Sequence, residues 1–312
     1  MQETLGTVVD TIAGVDPRFL LAALVFHLAN FGFRSLAWRN VLRAAYPDRP
    51  VPLLGIAGAY AAGVAINAFT PVRGGDLAKI ALVRTRIRGS SVPTIASSMG
   101  VVSLFDVVLG AGLIGLLAAL GLLPSPPGLP SLPGLPALVA ARPEIVVPAA
   151  LALVAAMVLL RRRLAPQART IWEGLRAGAA ILGSPRRYAT EVVPVQLSAW
   201  ACRIGAAYFL LAAFGVPASL AAALIVVMVG GLATVVPTPG GVGTQQVLLA
   251  TFLHATASTT ALVSFSLGMQ AAVTAVNAIV GVAAAMLMLR TLRPAAALRS
   301  HVRALRAGVP AA

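Results

Sequence analysis

Arg73, Asp76 and Lys79 crowd together just after Thr70-Pro71, a pair that interrupts a long apolar run. A cation beside free backbone N–H groups at the start of a helix makes an anion site, because the helix dipole and the donors point the same way. Arg73 and Asp76 can equally pair and cap the returning helix, and the two readings are compatible. The full stretch runs from Asn67 through Pro71 and Gly75 to Asp76. A second stretch, Val236 to Gln246, repeats its pattern: Thr238-Pro239 followed by Gly240, Gly241 and Gly243. In both, a glycine stands four residues after the proline. Proline removes a backbone donor and blocks a helix, while glycine opens φ values closed to other residues. The glycines would let a head group approach the backbone, or would only ease a turn. Within hydrocarbon such a break persists only against protein or a water-filled cavity, and paired breaks in two halves of a chain point to a transporter's binding site. Two Pro/Gly loops at the membrane surface are the plain alternative.

Asp106 and Arg203 are isolated charges inside apolar runs, where ionisable groups are costly and face a cavity or each other. An Asp106–Arg203 or Asp106–Arg73 pair is expected, with a structural role as plausible as a part in transport. Gln245, Gln246, Gln270 and Asn277 are the notable polar groups of the last third, suited to lining a cavity or to bonding helix to helix. His27 and His254 stand too far apart in sequence to suggest a metal site, and the single Cys202 fits a buried inert thiol. No Gly-x-Ser-x-Gly, His-x-x-x-His, cysteine pair or P-loop occurs, so neither an enzyme nor a cofactor is expected.

The elements that must position these residues are membrane helices. Of 312 residues 59% are hydrophobic and only 11% charged, with a mean hydropathy of +0.90; soluble domains carry about 25% charged residues. From Ile204 to Leu289 there is no Asp, Glu, Lys or Arg. The runs do not alternate as barrel strands do. The net charge of +15 lies beside apolar runs without interleaved aromatics, which argues for the positive-inside bias and against nucleic acid.

Full spans are expected at about 19–39, 92–123, 145–160, 192–214 and 261–289. The first would end at Arg34, Trp38, Arg39 and Arg43, a basic and aromatic cytoplasmic edge. Residues 52–88, basic at both flanks, read as a hairpin entering from inside and breaking at the first motif. Residues 220–255 read as a second hairpin entering from outside. The fold expected is an all-α polytopic membrane protein of about five full spans plus two re-entrant helical hairpins in an inverted repeat. Repeat 1 covers about 18–123 with its motif at 67–76, and repeat 2 about 189–290 with its motif at 236–246. One transmembrane domain then fills 1–312, with a basic tail at 291–312. Residues 1–17 suit a short surface helix and show no cleavable-signal pattern. Pro124 to Pro136 holds six prolines and no charge, an extended external loop. The N-terminus is expected outside and the C-terminus in the cytoplasm, in the cell's inner membrane.

These motifs resemble a known family. Asn67…Pro71-Val72-Arg73-Gly74-Gly75-Asp76 is similar to an Asn…Pro-Gly-Arg-x-Gly-Glu signature. Pro237-Thr238-Pro239-Gly240-Gly241-Val242-Gly243 is similar to Pro-x-Pro-Gly-Gly-x-Gly. Both belong to the flippase-like transmembrane domain of lysylphosphatidylglycerol synthases and related stand-alone membrane proteins. Leu36-Ala37-Trp38-Arg39 and Asp106 extend the likeness over roughly 18–290. Departures exist: Val102 and Ser103 stand where the family has Glu-Arg, and Gln246 where it has Glu. An N-terminal span common in the family also has no counterpart. The resemblance implies movement of lipids or lipid-linked groups between leaflets, with membrane lipids as partners. The 312 residues hold no synthase domain, so the lipid is expected to be made by a separate lipid-modifying enzyme. A transporter of a small polar or anionic solute, or a non-transporting partner of such an enzyme, are the other readings.

Overall fold

The structure, a computed structural model, describes residues 14–69, 74–122, 168–233, 243–254 and 256–289. Described elements are helical: α1 (Pro17–Ala45), α2 (Leu53–Phe69), α3 (Gly74–Arg86), α4 (Val92–Ala119), α5 (Ala168–Gly178), a 3-10 turn (Ala180–Gly183), α6 (Pro185–Glu191), α7 (Val193–Ala213), α8 (Leu220–Ala233), α9 (Thr244–Phe252) and α10 (Thr259–Leu289). Asp16 accepts from the Arg18 N–H and Pro17 opens α1, so donors that the first turn leaves over are answered or absent. Ser91 caps α4 in the same way through the Thr94 N–H.

Among the described residues four stretches are long and apolar enough to cross a membrane: Pro17–Ala45, Val92–Ala119, Pro185–Ala213 and Thr259–Leu289. They match four of the five expected spans, and the fifth, 145–160, lies outside the described residues. So do most of 1–17, the proline-rich loop and the basic tail. Over the described residues α2 and α8 run to 17 and 14 residues, against the ~20 a crossing needs. Each turns back on a partner. Gly55 lies against Arg86 and Gly63 against Lys79 and Gly75, so α2 and α3 form an antiparallel hairpin. Ser219 and Ala222 share a cavity wall with Phe252 and Leu253, which makes α8 and α9 a second one. Gly74–Asp76 and Thr244–Gln246 are already helix, so each motif ends inside the returning helix.

The spine of the bundle is the antiparallel pair α1 and α7. Asp16 N–H donates to Ala213 O, Asn30 Nδ2 to Ala199 O and Asn40 Nδ2 to Glu191 O, which fixes their register along the whole length. Small residues bring α2 onto α10: Gly281 lies against Ala61 and Ala65, and Gly58 against Met288. Close backbone approach of this kind takes over where the hydrophobic effect cannot drive one apolar helix onto another in lipid. Buried apolar residues form two clusters. One joins α7 to α10 around Leu211, Val226 and Phe265; the other joins α1 to α4 around Leu42, Ile56 and Leu82. Val107, Val108, Ile279 and Leu287 are more than half exposed, as helix faces turned to hydrocarbon would be.

Candidate functional site

Asp106 lies on α4 and faces the spine. Both its oxygens accept from Arg34 of α1, and Trp200 Nε1 of α7 donates to Oδ1 at 2.9 Å. The expected Asp106–Arg203 pair is therefore not formed, and Arg73, the other expected partner, lies outside the described residues. Arg34, expected to mark the end of the first span, lies well within it, because α1 runs on to Ala45. A fork-shaped guanidinium matches both carboxylate oxygens at once, which gives this pair direction as well as charge. Tyr60 of α2 meets the Phe31 ring of α1 edge-on, with centroids 5.6 Å apart. Arg203 stacks on the Trp200 ring, 5.4 Å from its centroid, and donates to Val227 O of α8 at 3.3 Å.

The tip of the first hairpin is held by the expected residues in unexpected roles. Asn67 Oδ1 accepts the Gly75 N–H at 2.8 Å, so a side chain across the break caps α3. Asp76 pairs with Lys79 at 2.9 Å, and Lys79, nearly buried, also lies over the Tyr60 ring at 5.1 Å. A Cβ on Gly75 would run into the Gly63 carbonyl oxygen and Asn67, so only glycine permits this crossing. Pro71 and Arg73 lie outside the described residues, as do Pro239, Gly240 and Gly241.

The second hairpin is tied without charge. Gln246 Oε1 accepts the Gly243 N–H at 2.6 Å, where Gly243 has φ +87. Gln246 Nε2 donates to Gln270 on α10, and Gln270 Nε2 donates to Gln245, both at 3.3 Å. Asn277 bonds His27 at 2.8 Å, joining α10 to α1. The glutamines and Asn277 thus bond helix to helix. Cys202 is a half-buried free thiol. Among the described residues no group of three or more His, Cys, Asp or Glu is placed to hold a metal ion.

Sequence reasoning missed Arg34, Tyr60 and Trp200. One signal was available for Arg34: it precedes Thr70 by 36 residues, and Arg203 precedes Thr238 by 35.

The family model described as the lysylphosphatidylglycerol synthase TM region matches residues 3–281. The chain belongs to this family. No curated protein matches the sequence. As a member of the lysylphosphatidylglycerol synthase TM family with four helical stretches of spanning length among the described residues, it is a multi-pass membrane protein.

Proposed function

We propose that this family member is a lipid translocase, moving an anionic or modified phospholipid, or a lipid-linked group, between leaflets. One observation carries the reading: a charged and hydrogen-bonded cluster of Arg34, Asp106, Trp200 and Arg203 lies inside an apolar bundle whose outward faces suit hydrocarbon. Ionisable groups at such depth are costly and face a cavity or one another, which makes this cluster the candidate substrate path. Two hairpins of short helices flank that cluster, each with a Thr-Pro pair in the sequence between its helices. We read them as re-entrant and as the two halves of an inverted repeat, consistent with the antiparallel run of α1 against α7. Acyl chains would remain in lipid while the head group crosses through the polar interior. Asn67, Gly75 and Asp76 would shape one end of the path together with Pro71 and Arg73; Pro239, Gly240, Gly241, Gly243 and Gln246 would shape the other. The arginine-rich side faces the cytoplasm in this reading, and the lipid comes from a separate enzyme. No catalytic role is assigned to the chain.

The test is leaflet exchange in sealed vesicles containing the purified chain and a fluorescent phosphatidylglycerol, read by chemical quenching of the outer leaflet. Quenching beyond half of the signal, at a rate that scales with protein content, is the expected result. If protein-containing and empty vesicles quench alike, the translocase reading is wrong, and a solute transporter or a non-transporting partner takes its place.

A further inference from the structure

The helix α5 has three faces, and one of them rests on the bundle. At about 100° per residue, Gly174 and Gly178 share a side. A Cβ on Gly174 would meet Pro93, and one on Gly178 would meet the Thr94 carbonyl oxygen and Ser97, so this side lies directly on α4. Ser97 Oγ donates to Leu175 O at 2.7 Å and fastens the contact. Trp172 and Leu175 take the next side, where Trp172 is 67% and Leu175 38% exposed. Arg169 and Arg176 follow on the third side, both exposed.

The contact with α4 sets the depth of α5. α4 has 28 residues, so it is about 42 Å long against a ~30 Å hydrocarbon core, and its first turns stand at head-group level. Those turns, Pro93 to Ser98, are the ones that carry α5. The spanning stretch Pro185–Ala213 starts at the same end, where Trp38 of α1 reaches Ser98 and Asn40 reaches Glu191 O. Tryptophan gathers at this level, where its ring meets acyl chains and its N–H stays wet. A helix with an apolar side flanked by arginines lies in that plane, sunk about 5–10 Å into the boundary. The charge fits as well: residues 168–191 hold four arginines against two glutamates.

We propose that α5 is an interfacial helix. Trp172 and Leu175 enter the acyl boundary of the leaflet at the arginine-rich end, and Arg169 and Arg176 hold anionic head groups beside them. The partner is the surface of the surrounding bilayer rather than a molecule in the bundle interior, and the inference stands apart from the translocase reading. Through Ser97 and the two glycines, the same contacts join that surface to α4, the span that carries Asp106.

The chain has three tryptophans, and Trp38 and Trp200 are buried, so the fluorescence lost in Trp172→Phe isolates this helix. The experiment places the full chain in vesicles of equal parts phosphatidylcholine and phosphatidylserine, with bromine on the upper chain carbons of one lipid or the other. With two arginines and one glutamate, α5 carries one net positive charge. Bromine on phosphatidylserine should therefore quench the Trp172 signal at about one-fifth of the mole fraction needed on phosphatidylcholine. Aqueous acrylamide should quench it weakly. Arg169→Gln with Arg176→Gln should remove the preference while bromine still quenches, whereas Arg18→Gln, at the far end of α1, should change neither. Melting temperatures in detergent identify a variant that fails to fold. Wild type in about 1 M salt then carries the test, because the screening length shrinks to ~3 Å and the preference should vanish. Quenching by acrylamide but by neither brominated lipid overturns the proposal and makes this face a docking surface for a soluble protein. Equal quenching by both lipids overturns it too, as does a preference that survives the loss of both arginines or the added salt. A preference that is unchanged in Trp172→Phe belongs to the interior and likewise overturns it.

Discussion

The two halves of the molecule build the same device from different chemistry. In the first, α2 and α3 are held by charge: Asp76 on Lys79, Lys79 over Tyr60, and Asp106 on Arg34 at the adjoining crossing. In the second, α9 and α10 are held by three glutamine amides and no charge at all. An amide offers a donor and an acceptor, so it satisfies a break in the helix without the desolvation cost of an ion. A charged pair holds its geometry more strongly but leaves an exposed liability if one member goes. The first half should therefore be the rigid one, and the second the half whose contacts are cheaper to exchange.

The largest expected break in this contrast is Asp106→Asn. It leaves Arg34 buried without its counter-ion, and about 3–5 kcal/mol of stability should be lost. Unfolding in detergent measures it, and adding Arg34→Gln should recover much of the loss. If the double variant is no better than the single one, the loss does not come from an uncompensated Arg34. Gly75→Ala comes next, at about 1–3 kcal/mol, because its methyl meets the Gly63 carbonyl oxygen, which belongs to a helix backbone and yields little.

On the other side of the comparison, Gly243→Ala should cost about 1–2 kcal/mol through its positive φ alone, since no atom lies within 4 Å of the added carbon. Gln246→Ala removes the acceptor for the Gly243 N–H and should cost about 1 kcal/mol, by the same melting assay. A loss from Gln246→Ala as great as that from Asp106→Asn would erase the distinction between the halves. The smallest effect is Gly112→Ala on α4, where nothing lies within 4 Å. A gain of about 0.5–1 kcal/mol from helix propensity is expected there, and it calibrates the glycine substitutions at the hairpins.

Membrane class and element boundaries were legible in the sequence because hydrocarbon imposes them residue by residue. A span must be apolar for its whole length, and a helix must stop at proline and glycine. Thus Val92 and Val193 open their helices within one residue of the expected starts, although α1 runs on to Ala45, past the expected 39. Pairing of the charges was not legible. Arg34 stands close to Trp38, Arg39 and Arg43, so in one dimension it belongs to a basic edge. Its place beside Asp106 depends on how α1, α4 and α7 cross, which sequence distance does not encode. The same holds for Asn67, which reaches across the break to Gly75, and for Gln270, which meets two glutamines from another helix. Composition and local stereochemistry determined which segments are helical; only packing of one helix on another decided that Asp106 is met by Arg34 and Trp200 rather than by Arg203.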